Sequence, residues 1–147
     1  MANVLLVDDN PDNLVALRAM LDDLGQTLIS AESGEEALKC LLEQDFAAIL
    51  LDVRMAGMDG FETASLIKER ERNAQTPIIF ITAYSQEDAH IFKGYSVGAI
   101  DYMFKPIMPE ILRAKVLAFV ELFEKTEKIK RQAEEIEAAN QEPEDRF

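Results

Sequence analysis

Short apolar runs alternate with amphipathic helical stretches up to about residue 123, and this restricts the chain to strands and helices laid down in turn. Val4–Val7, Ala47–Leu51 and Ile78–Ile81 are almost continuously apolar. A strand of that kind needs cover on both faces, which points to a parallel sheet between two helical layers. Ile100–Phe104 reads as another strand, and the weaker Thr27–Ala31 as one at a sheet edge. Five strand–helix units predict an α/β, doubly wound, three-layer sandwich with a five-stranded parallel sheet and right-handed crossovers.

Local signals set the helices. Asn10 is the expected N-cap of the first, with Pro11 behind it, a core stripe of Leu14, Leu17, Leu21 and Leu24, and Gly25 as its stop. Ser33-Gly34-Glu35-Glu36 reads as a capping box for a second helix that buries Ala37, Leu38, Leu41 and Leu42. A third is expected from Asp59 with Phe61, Ala64 and Ile67 inward, and another near Ser85. The last begins around Met108–Pro109 and carries Leu112, Val116, Phe119, Val120 and Phe123. Beyond Glu124 charged residues dominate, while Leu122, Thr126, Ile129, Ala133, Ile136 and Asn140 keep a spacing of three and four. That spacing fits either a short coiled coil or a solvated continuation of the last helix. Residues 1–123 are therefore expected as one domain, 124–140 as a helical extension and 141–147 as a disordered acidic tail.

Composition removes several classes of function. A formal charge of −13, from 28 acidic and 15 basic residues, opposes nucleic-acid binding, which needs cations to neutralise phosphates. No apolar run approaches the ~20 residues of a membrane span. Met1-Ala2-Asn3 leads straight into an apolar segment, so a secretory leader is not expected. The single cysteine, Cys40, suits a reducing cytoplasm and reads as a small buried helix residue. His90 reads as an ordinary surface histidine.

The residues just beyond the strands carry chemistry. Asp8-Asp9, Asp52, Thr82 and Lys105 stand at the carboxyl ends of four apolar runs. Ligands of open parallel sheets bind along that edge. A like-charged pair ~4 Å apart costs about 1 kcal/mol in water and about 4 kcal/mol at an effective dielectric of 20. A divalent cation removes the penalty, and a few carboxylates with open positions suit Mg²⁺. The alternating acidic positions and closing glutamate of a calcium loop are absent, as is the His/Cys cluster of a zinc site.

At these residues the chain resembles the receiver domain of response regulators, the phosphoacceptor half of two-component signalling. The matching segments are Val4-Leu5-Leu6-Val7-Asp8-Asp9, Leu50-Leu51-Asp52-Val53-Arg54-Met55, Met58-Asp59-Gly60, Ile81-Thr82-Ala83, Gly98-Ala99-Ile100-Asp101-Tyr102 and Lys105-Pro106. They run in family order over about residues 3–123. The resemblance implies a flavodoxin-like sheet of order 2-1-3-4-5. It implies Asp52 as acceptor of a phosphoryl group from a phosphohistidine, and Mg²⁺ held by Asp9, Asp52 and the Arg54 backbone carbonyl. Asp8 then acts through water, and Thr82 and Lys105 take the phosphoryl oxygens. Thr82 and Tyr102 become the switch pair, Arg54 and Tyr84 tune dephosphorylation, and Lys105–Pro106 is expected to be cis.

Ala56 stands where the family often has proline, which suggests a looser loop. The implied partners are a histidine kinase or phosphotransfer protein, with a homodimer through residues 86–123 or the C-terminal helix as a further possibility. Such a domain catalyses only its own phosphoryl transfer and dephosphorylation. Two other readings compete. One is a pseudo-receiver that never takes phosphate. The other is a doubly wound enzyme, such as a flavin or phosphate-ester enzyme; the haloacid-type phosphatases need a second aspartate two residues after the first, and Asp8-Asp9-Asn10-Pro11 does not supply that pattern.

Overall fold

The computed structural model describes residues 2–83 and 100–141. The expected helix near Ser85, Tyr84, His90 and residues 142–147 lie outside them. Five parallel strands, β1 (Asn3–Val7), β2 (Thr27–Ala31), β3 (Ala48–Asp52), β4 (Ile78–Thr82) and β5 (Ile100–Phe104), form one sheet in the order β2-β1-β3-β4-β5. β2 occupies an edge, as its weaker apolar pattern predicts.

Successive strand residues face opposite layers. Val4, Leu6, Leu50, Ile79 and Ile81 pack with Leu14, Leu17 and Leu21 of α1 (Pro11–Leu21) and with Leu112, Val116 and Val120 of the C-terminal helix (Pro109–Gln141). Leu5, Val7, Ile49, Leu51, Ile78 and Phe80 pack on the other side with Ala37 and Leu41 of α2 (Gly34–Glu43) and Ala64 and Ile67 of α3 (Gly60–Glu69). These two apolar layers make the near-continuous hydrophobic strands necessary.

Caps fix where the helices begin. Asn10, Ser33 and Asp59 each accept a backbone N–H of the first turn, from Asp12, Glu36 and Glu62 respectively. The box at α2 is displaced by one residue, because the Glu36 carboxylate receives the Glu32 N–H rather than that of Ser33. α1 stops at Leu21. A 3₁₀ turn then carries the half-buried Leu24 to Gly25.

Three expectations need correction. Leu42 is 64% exposed, because the inward face of α2 is set by Gly34, Ala37 and Leu41 and Leu42 lies a hundred degrees away from Leu41. Cys40 is half-buried rather than buried, for the same rotational reason. Asp52 and Thr82 are the last residues of their strands rather than the first beyond them, in register with Ile81 and Phe104.

The C-terminal helix is a single element of 33 residues. Lys115 pairs with Asp101 of β5 and Arg113 with Asp23 beyond α1, which fixes its first turns on the sheet. Arg113 holds the Asp23 carboxyl below the usual carboxylate range. Farther out, Leu122, Ile129 and Ile136 remain 58–65% exposed. No helix among the described residues is long and apolar enough to cross a membrane.

Gly60 lets α3 start against the strand that carries Asp52. A Cβ there would lie 2.3 Å from the Asp52 carbonyl oxygen and 2.8 Å from the Val53 Cα. Both are backbone atoms that cannot swing aside. Gly60→Ala is expected to lower stability by about 1–3 kcal/mol in urea unfolding. An unchanged midpoint would show that α3 shifts without cost.

Candidate functional site

Asp8 and Asp9 follow β1, and Asp52 ends the neighbouring β3. Each of the three carboxylates offers an oxygen within 4.8 Å of the others. Asp8 is 2% and Asp52 6% exposed, whereas Asp9 faces solvent. Parallel pairing of Val7 with Leu51 sets the two strand ends side by side.

The surroundings hold these groups in distinct ways. The Asp8 backbone N–H donates to the Ala31 carbonyl, and its Oδ1 accepts the Asn10 N–H at 2.9 Å. The Val53 N–H donates to the Ile81 carbonyl, and the Val53 carbonyl accepts the Gly60 N–H, which closes the loop after Asp52. Within that loop the Ala56 N–H donates to Asp9 Oδ2 at 2.8 Å. This contact has no side-chain signature. Its only trace in the sequence is a residue with an N–H at a position where proline has none.

Lys105 comes from the opposite side of the cluster. Its Nζ lies 3.5 Å from Asp52 Oδ1, and its backbone N–H donates to the Thr82 carbonyl at 3.0 Å. The Lys105–Pro106 bond is cis, as expected. Thr82 is buried at the end of β4. Tyr102 is half-buried on β5, with its ring stacked on Phe80 at 5.9 Å and its hydroxyl oxygen shielded from solvent. Phe61 meets Phe80 edge-on, which continues the aromatic contact to α3. Arg54 is exposed, two residues beyond Asp52. The structure thus brings Asp8, Asp9, Asp52 and Lys105 together, with Thr82 on the adjoining strand.

Burial and then the Asp8 charge push the Asp52 carboxyl up to about 6, against the opposing pull of Lys105. Among the described residues three carboxylates converge with the Lys105 ammonium beside them, so the site favours additional positive charge. The residues fit a hard divalent cation, since all three donors are carboxylate oxygens within one ion's reach.

A doubly wound α/β sheet with such an acidic cluster and a lysine at its carboxyl edge has its charged residues where ligands of this class of fold bind. The chain belongs to the response regulator receiver domain family, which it matches over residues 4–117. It is 38% identical over 118 residues to the transcriptional regulatory protein AfsQ1 of Streptomyces coelicolor, covering 80% of this chain and 51% of that protein. It is 35% identical over 137 residues to the sensor protein GacS of Pseudomonas syringae, covering 91% of this chain and 15% of that protein. The chain therefore spans about half or less of these two relatives. A sensor histidine kinase receiver domain from Pseudomonas aeruginosa, solved with magnesium coordinated in its active-site cleft, superposes with a TM-score of 0.73. The two share 28% identity, over 82% of this chain and 98% of that one.

The raised Asp52 carboxyl makes the metal-free fold sensitive to pH. Its folded value lies above the unfolded 3.8, so the ionised group costs stability at neutral pH. The cost fades as pH falls from about 6 towards 3.8. Asp52→Asn is expected to stabilise the metal-free protein by on the order of 1–3 kcal/mol at pH 7.5, with little difference below pH ~4. Urea titrations at the two pH values check this, and a destabilised variant at pH 7.5 would contradict it.

Proposed function

We propose that Asp52 accepts a phosphoryl group from a phosphohistidine of a histidine kinase or phosphotransfer protein, and that the aspartyl phosphate sets a conformational switch. The observation that carries this reading is Asp52 buried between two carboxylates and Lys105. Its oxygen attacks phosphorus, the P–N bond breaks as the P–O bond forms, and the leaving imidazole nitrogen keeps the electron pair. Apart from the Asp52 nucleophile, the work of the chain is positioning and charge neutralisation.

Asp9, Asp52 and the Arg54 backbone carbonyl would hold Mg²⁺, with Asp8 acting through water. When bound, the ion supplies neutralising charge to the phosphoryl oxygens and to the crowded carboxylates. Lys105 binds a phosphoryl oxygen through its ammonium, and Thr82 through its hydroxyl. Drawing Thr82 towards the phosphoryl group changes the space beside Tyr102, whose shielded ring is the second half of the switch. Arg54 and Tyr84 then tune the approach of the hydrolytic water.

Residues 1–123 form the receiver unit, and 124–140 act as a helical extension that passes the signal on. Exposed Leu122 just before it, with Ile129 and Ile136 within it, supports pairing with another helix, and residues 86–123 are the alternative dimer surface. The coverage of the relatives supports a receiver that works within, or beside, a larger signalling protein, and its proposed location is the cytoplasm.

Incubation with Mg²⁺ and acetyl phosphate, followed by intact mass, is expected to show one added phosphoryl group. The adduct should vanish in Asp52→Asn or in EDTA. No adduct in the wild type would overturn the reading in favour of a pure interaction module, and one that persists in Asp52→Asn would overturn Asp52 as the acceptor.

A further inference from the structure

Asp9 differs from its two neighbours in the acidic cluster, because it is exposed while Asp8 and Asp52 are buried. An exposed carboxylate ordinarily samples several rotamers, and fixing such a side chain costs binding free energy. Here the Asp9 side chain is held across 47 residues of chain by the Ala56 N–H at 2.8 Å. In that held position Asp9 offers an oxygen within 4.8 Å of those of Asp8 and Asp52. A carboxylate has about four lone-pair sites, so one can take the amide while another faces a cation.

We propose that the Ala56 backbone amide is a positioning group for Asp9, which it keeps in its cation-ready orientation before any metal arrives. This rests on the reading of the acidic cluster as a Mg²⁺ site. The loop geometry explains how the amide is presented. Gly57 comes next with φ 74°, a left-handed turn that a residue with a Cβ adopts only under strain. The base of the loop is closed by the Gly60 N–H on the Val53 carbonyl. The Ala56 methyl has no part in the contact, since the donor is main chain. Proline there would keep the turn residues and remove the donor. Ala56 thus ties the cation-side loop after β1 to the loop beyond the acceptor Asp52. The loop that the missing proline suggested to be loose is pinned through its backbone instead.

The test compares Ala56→Pro with Ala56→Gly by calorimetric titration with MgCl₂, with no phosphodonor present. Ala56→Gly keeps the N–H and is expected to bind as the wild type does. Ala56→Pro is expected to bind about three- to tenfold more weakly, the effect of one side chain no longer held in advance. Hydrogen exchange in the metal-free protein supplies a readout independent of the ion. The Ala56 amide is expected to exchange faster in Asp9→Ala than in the wild type, while the β3 and β4 amides remain unchanged.

Equal Mg²⁺ affinity of the proline and glycine variants would overturn the positioning role alone, as would Ala56 exchange that is indifferent to Asp9. A wild-type chain that takes up no Mg²⁺ would remove the cation reading and this role together. A proline variant whose β-sheet exchange protection is also lost has unfolded, and the Asp9→Ala comparison then decides.

Discussion

Electrostatic crowding at the carboxyl ends of β1 and β3 is the constraint on which the rest of the molecule depends. Asp8 and Asp52 are nearly withdrawn from water while their carboxylates stay within one ion's reach of each other and of Asp9. Lys105 at 3.5 Å answers only part of that charge, and Asp52 is left with a raised carboxyl. A site in this condition favours a cationic ligand, because the charges of its described residues are not balanced. The sheet ends are held in place by their neighbours. Asp52 is locked in the ladder opposite Ile81, and α3 sits against its carbonyl through Gly60.

The apolar architecture has the job of holding that edge still. β1, β3 and β4 are buried on both faces, so their ends move only with the two packed layers. On the outside of this frame the ties are single polar contacts. Asn10 holds the Asp8 carboxylate and Ala56 that of Asp9, while the Lys105 N–H ties only the Thr82 main chain. Rigidity therefore comes from apolar burial, and the orientation of each functional group comes from individual hydrogen bonds. A change at such a tie is expected to alter the chemistry more than the fold.

Much of this was legible in the sequence. Continuous apolar runs disclosed the covered strands, Asn10, Ser33 and Asp59 disclosed the helix starts, and residue types at strand ends disclosed the site. The errors have specific causes. Asp52 and Thr82 are polar, so burial patterning stops one residue before the ladder does. Leu42 and Cys40 are apolar by type, yet their helical angle turns them outward or halfway out. The Ala56–Asp9 contact is made by a backbone N–H, which every residue but proline possesses, and no side-chain pattern discloses its partner. The start and spacing of the long helix are written in its residues.

The central claim is that crowded charge at Asp52 is relieved by a cation. The most direct measurement is the titration of the Asp52 side-chain carboxyl by carbon NMR, with and without Mg²⁺. The expected midpoint is about 6 in the metal-free protein, falling clearly when Mg²⁺ is added. An ordinary midpoint near 3.8 without metal, or one near 6 that Mg²⁺ leaves in place, would contradict the account.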